Sequence, residues 1–179
     1  LREKQMGKLT EIKRKKWVSW ENLIKMYKDS KSKWNEYSWE TWKKQKKVRK
    51  CIIVQARETM ILSMYLESVD NPPRRLLDYG LMRIAPKGVK ERDLDKNFNW
   101  CLLDSGFYIF NQYKTSKTYK QQKLYIDNNI IKYIKNYIEV AKIDDFLFPH
   151  SKSNKPTAIT YLGTMISKII KKYTGKSGI

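Results

Sequence analysis

Two consecutive prolines, Pro72 and Pro73, constrain the fold of this chain more than any other feature. Proline has no amide hydrogen, and its ring clashes with the preceding turn, so no regular helix runs through the pair. With Asp70 and Asn71 they form a turn that stops whatever comes before. What comes before is helical in pattern. Trp20, Leu23, Ile24 and Tyr27 recur at helical spacing after Ser19, a residue suited to cap a first turn. Ser38 opens WETWKKQKKVRK in the same way, and the apolar run CIIVQARETMILSMYLESV continues to Val69. The pattern fits one long helix, or two with a break near Lys46. Ile52, Ile53, Ala56, Met60, Leu62 and Tyr65 fall on its core face.

Beyond the prolines, RRLLDYGLMRI (Arg74 to Ile84) predicts a short helix with proline at its start. Residues 85–97 read as a polar loop. The period then changes. FNWCLLD, FYIFNQYK and QQKLYI are rich in aromatic and β-branched residues and are separated by Asp104-Ser105-Gly106 and by TSKTYK. They predict a three-stranded antiparallel meander. Asp127-Asn128-Asn129 can cap a helix over IIKYIKNYIEVAK, FLFPH reads as a short buried segment, and ITYLGTMISKIIKKY predicts a last helix stopped at Gly175. The expected class is α+β, mainly helical, with a small three-stranded antiparallel sheet.

Composition bounds the function. A chain of 179 residues that is 41% hydrophobic can bury a real core. It carries 38 Lys and Arg against 18 Asp and Glu, a formal charge of +20, and such a field attracts polyanions, nucleic acid first. An AT-rich gene would also favour lysine, asparagine, isoleucine and tyrosine, but the acidic residues have not risen in step. Cys51 and Cys101 sit in apolar runs and are expected to be buried thiols; with one histidine, His150, they make no tetrahedral metal site. There is no P-loop and no carboxylate cluster, so no metal, nucleotide or other cofactor is implied. No segment approaches the roughly 20 apolar residues of a membrane span, and no signal peptide opens the chain. An intracellular place is expected, with cytoplasm, nucleus and viral factory not distinguished. Trp17, Trp20, Trp34, Trp39 and Trp42 crowd the first third at spacings that predict core packing, with one or two exposed. Interleaved with lysine, such rings would also suit stacking on RNA bases.

Four segments come in a familiar order: PPRRLLDYGLMRI, YIFNQYKTSKTYKQQKLYI, FLFP and ITYLGTMISKIIKKY. Together they resemble the catalytic domain of the tyrosine recombinases, the phage-integrase family. The double-proline, double-arginine form is similar to versions from large DNA viruses and eukaryotic mobile elements. The resemblance covers about residues 50–179. It implies that residues 46–179 are the first part of a catalytic domain, and that residues 1–45 match, in architecture only, the end of a helical core-binding region and its linker. It implies site-specific recombination or integration on double-stranded DNA through a 3′-phosphotyrosyl intermediate, by a tetramer when complete, with no small-molecule cofactor.

The family's helix-opening arginine is followed three residues later by an acidic residue. Arg75 and Asp78 fit, with Arg74 the neighbouring alternative. Its hairpin lysine matches Lys114, followed by Thr115, with Lys117 as the alternative. Arg75 would hold the charge that builds on the phosphate oxygens. Asp78 would orient it. Lys114 would protonate the leaving 5′ oxygen. Arg74, Lys117, Lys120 and Lys123 would contact the DNA backbone. A solvated lysine-rich turn has the same composition, and only the arginine context separates the two. The family also needs His-x-x-Arg, a further His or Trp, and the tyrosine nucleophile. His150 is followed by Ser-Lys-Ser, and the expected place falls after KKYTGKSGI. The chain therefore reads as a fragment ending before the second half of the active site, inactive alone, or as a non-catalytic basic DNA-binding module of the same fold.

Overall fold

The structure is a computed structural model that describes residues 17–67, 74–150, 153–156 and 159–176. Helix α1 (Trp20–Asn35) starts where its cap predicts: the Asn22 N–H donates to Ser19 Oγ at 3.3 Å. Helix α2 (Trp39–Lys43) is short, and Ser38 makes no side-chain cap bond to it. The chain leaves helical geometry before α3 (Lys50–Leu66), so the two-helix alternative holds. The local charge favours a break there. Lys43 to Lys50 carries six cations in eight residues, and like charges three and four apart destabilise a helix.

α1 docks on α3 through a buried polar key. Ser30 Oγ and Thr59 Oγ1 are 2.8 Å apart, and Gln55 Nε2 donates to the Ser30 carbonyl at 3.1 Å. α3 packs in turn on α6 (Asn128–Ala141), whose first turn is capped by Asp127 accepting from the Asn129 N–H at 2.7 Å. Met26, Tyr27, Trp34 and Trp39 belong to the same apolar cluster as Ile52, Met60, Tyr133 and Leu162. The expected boundary near residue 45 thus falls in the α2–α3 link, and one core extends across it. Ile53 and Tyr65, expected in that core, are only partly buried at its edge.

Val69 and the Asp70–Pro73 turn lie outside the described residues. After it, α4 (Leu76–Gly80) is shorter than expected. The helix predicted as far as Ile84 instead gives way to strand β1 (Met82–Ile84). β1 pairs in parallel with β2 (Asn99–Leu102), and β3 (Phe107–Phe110) and β4 (Gln122–Tyr125) follow antiparallel. The sheet is therefore four-stranded and mixed, in the order β1-β2-β3-β4, and not a three-stranded antiparallel meander. Gly80 disfavours further helix, and the extended backbone finds partners on its free edge. Ile84 N–H donates to the Asp145 carbonyl at 2.7 Å, and Leu147 N–H to the Met82 carbonyl at 2.9 Å.

The two faces of the sheet bury different sets. Cys101, Tyr108 and Phe110 face the main core, whereas Trp100, Leu102 and Ile109 pack with Leu94 in a second cluster. On that second side Arg83 donates from Nε to Asp145 Oδ1 at 2.6 Å, and its guanidinium lies 4.7 Å from the Phe98 ring. After FLFP, β5 (Pro149–His150) pairs antiparallel with β6 (Ser153–Pro156). Helix α7 (Ile159–Thr174) ends at Gly175, whose φ of +71° and N–H bond to the Lys171 carbonyl at 2.9 Å form the predicted stop. α7 buries Leu162, Met165 and Ile169 and packs against α1 and α4.

Cys101 is buried, which pushes its thiol well above the usual range. Cys51 is exposed, contrary to expectation, because Ile52 and not Cys51 occupies the inward position of α3. Trp34 and Trp39 stack in the core with ring centroids 5.1 Å apart, while Trp17 and Trp20 stand exposed. Among the described residues no helix is long and apolar enough to cross a membrane.

Candidate functional site

The start of α4 and the segment leaving β3 face each other across an open cleft of about 320 Å³. Arg74, Arg75 and Asp78 line one side; Tyr113, Lys114 and Tyr119 line the other. Three of the expected residues, Arg75, Asp78 and Lys114, are therefore brought together, with Arg74 beside them.

The arginine side is built by a short helix with an extended residue before it. Arg75 has φ −68° and ψ 153°, and its carbonyl accepts from the Asp78 N–H at 3.0 Å. That geometry turns Asp78 back toward the residue four before it. The ion pair is thus Arg74 Nε to Asp78 Oδ2 at 3.4 Å, so the carboxylate holds the first arginine of the pair and leaves Arg75 exposed on the rim. The Arg74 guanidinium also lies over two rings, 4.6 Å from Phe110 and 5.1 Å from Tyr113. Its side chain is 18% exposed and that of Asp78 5%. Among the described residues neither Arg74 Nε nor Asp78 Oδ1 has a hydrogen-bond partner. Burial pushes the Asp78 carboxyl above its ordinary range, against the opposing pull of Arg74 and Arg75.

The lysine side departs from the predicted hairpin. β3 ends at Phe110, not at Lys114, and the turn contains a helical segment, α5 (Ser116–Tyr119). Tyr113 closes the loop by donating its hydroxyl to the Lys120 carbonyl at 2.7 Å. Lys114 is exposed at the cleft and has no ion-pair partner among the described residues. Lys117 and Lys120 are exposed on α5 and at its end, outside the cleft lining. Lys123 points elsewhere: its ammonium is 2.6 Å from Glu91 Oε2 and 4.6 Å from the Phe107 ring.

Sequence reasoning missed Asn99. It is fully buried at the start of β2. Its Nδ2 donates to the Asp78 carbonyl at 2.7 Å and to the Gln112 carbonyl at 2.8 Å. Its Oδ1 accepts from the Asn111 N–H at 2.9 Å and the Gln112 N–H at 2.7 Å. The available signal was an amide inside an otherwise apolar strand, FNWCLL, where a polar side chain needs partners.

The cleft brings together three cations, one carboxylate paired with a guanidinium, and two phenols. Arginine offers paired parallel donors and lysine a mobile point charge, which together match the oxygens of a phosphate diester. Comparison of the chain with protein-family models, with curated proteins and with solved structures gave no match. What the fold and the cleft define on their own is an α+β domain with an open cleft lined by two arginines and a lysine.

Proposed function

We propose that the cleft takes a backbone phosphate of duplex DNA, and that the chain is the first part of a tyrosine-recombinase-like catalytic domain. The observation that carries this reading is the convergence of Arg74, Arg75 and Asp78 with Lys114 from distant segments on one cleft. The surrounding charge supports it. The chain is +20, and Lys117 and Lys120 stand exposed next to Lys114, placed to follow a phosphate backbone without reading bases.

In the proposed reaction a tyrosine oxygen attacks phosphorus as its hydroxyl proton passes to water. The bond to the tyrosyl oxygen forms as the bond to the 5′ oxygen breaks, and the phosphodiester's energy is kept for religation. Negative charge builds on the non-bridging oxygens. Arg74, held by Asp78 and by two aromatic rings, is preorganised to meet it, and the exposed Arg75 closes on the same phosphate. The Lys114 ammonium gives its proton to the departing 5′ oxygen. No tyrosine among the 12 in the chain is assigned as the nucleophile. A complete assembly would act as a tetramer on two DNA sites.

The exposure of Trp17 and Trp20 supports a second reading, in which those rings stack on single-stranded RNA. A competition experiment separates the two. Labelled duplex DNA is bound and then challenged with unlabelled duplex or with single-stranded RNA of equal length. Duplex should be the stronger competitor, and Trp17→Ala with Trp20→Ala should leave its affinity unchanged. RNA as the stronger competitor, with its binding lost on the tryptophan substitutions, would replace the DNA reading.

A further inference from the structure

We propose that Asn99 is a positioning residue: it fixes the spacing between the arginine helix and the lysine turn, so that the cleft is set before DNA arrives. The inference rests on the DNA reading above. A primary amide has two N–H donors and a carbonyl with two lone pairs, and Asn99 uses all four. The reverse orientation of the amide would set its N–H groups against the Asn111 and Gln112 N–H groups, so only one arrangement is satisfied. The partners are the informative part. One is the carbonyl of Asp78, whose carboxylate holds Arg74. The others are the N–H of Asn111 and both backbone groups of Gln112, two residues before Lys114.

Asn99 itself is rooted in the sheet. It opens β2, an interior strand, and pairs in register with Met82 of β1. A single side chain on a rigid strand therefore grips both walls of the cleft. An apolar residue of similar volume would leave one buried and three part-buried backbone groups without this partner, and the two walls would settle independently. Asn111 adds an outer latch. Its Nδ2 donates to the Phe98 carbonyl at 2.8 Å, and its Oδ1 accepts from Gln121 at 2.9 Å.

The test is a double-mutant cycle on duplex affinity with the full chain, using Asn99→Ala, Lys114→Ala and both together. Asn99→Ala should weaken duplex binding about fivefold, and in the Lys114→Ala background its further cost should fall below about twofold, because the residue it positions is gone. In a Lys168→Ala background, on α7 away from the cleft, the full fivefold loss should remain. Independent losses at Asn99 and Lys114 would overturn the positioning role while leaving the DNA reading intact. A wild-type chain that does not bind duplex would overturn both. If thermal melting finds Asn99→Ala unfolded at the assay temperature, Asn111→Ala takes its place in the same cycle. The same loss of effect beside Lys114→Ala is then expected, and independence would again overturn the role.

Discussion

Asp78 sits where stability and binding pull in opposite directions. Its carboxyl is buried and its pKa is raised by that burial, so the folded state holds a proton that the unfolded chain has already released. The sign follows. Stability falls as pH rises from the ordinary carboxylate range through the raised value, and then stays level. Asp78→Asn removes that loss, so its melting temperature should exceed that of the wild type at neutral pH and converge with it in strong acid. The same change releases the charge that holds Arg74, so duplex affinity should fall although the fold is firmer. Melting curves across pH, set beside duplex titrations at neutral pH, check both halves. At this scale the sequence expected Asp78 to orient Arg75, and the ion pair is made to the neighbouring arginine instead. Arg74, and not Arg75, pairs with Asp78, because α4 begins one residue later than the motif spacing assumed. Asn99 was missed for a different reason: its place in an apolar strand signals a need for partners, but those partners are backbone groups 12 to 21 residues away that no local pattern marks.

The elements that sequence periodicity recovered are the long ones, α1, α3, α6 and α7. Each carries apolar residues over several turns, as a stripe in α6 and α7 and nearly all round in the second half of α3, and Ser19 and Asp127 cap as their chemistry predicts. The short ones were misread. MRI is too brief to distinguish a helix end from a strand, and its fate is decided by edges supplied by β2 and by residues 145–147. The turn after β3 hides a helical segment, because TSKTYK carries no glycine or proline to announce its shape. That turn stores strain. Lys120 has φ 59° and ψ −155°, a region that residues with a side chain avoid at a cost of about 1–3 kcal/mol. Lys120→Gly should therefore stabilise the fold by about 1 kcal/mol, read as a higher denaturant midpoint with an unchanged slope. If Lys120 follows the DNA backbone, the same variant should bind duplex less tightly. The strained residue would then have been kept for its charge.

The whole molecule combines a main core and a smaller second cluster with a strong excess of positive charge. The apolar cluster runs from α1 through α3 and α6 to α7, so the helices before the cationic link share their packing with the domain that carries the cleft. The link itself, with six cations in eight residues, was legible as charge from composition; whether it breaks the helix was left open by the sequence pattern. What composition could not say is which of 38 basic residues meet a ligand. Several are spent internally: Arg83 on Asp145, Lys123 on Glu91 and Lys172 on Glu58. Lys114 is not, and it stands with Arg74 and Arg75 on the cleft.

The central claim, that this cleft seats a DNA phosphate, is tested most directly by the salt dependence of duplex affinity for the wild type, Arg74→Ala and Lys114→Ala. Each substitution should weaken binding about tenfold and make the slope of log affinity against log salt shallower by roughly one, since each removes one phosphate contact. A wild type that binds duplex with variants of unchanged affinity and slope would place the DNA elsewhere on the basic surface and contradict the account.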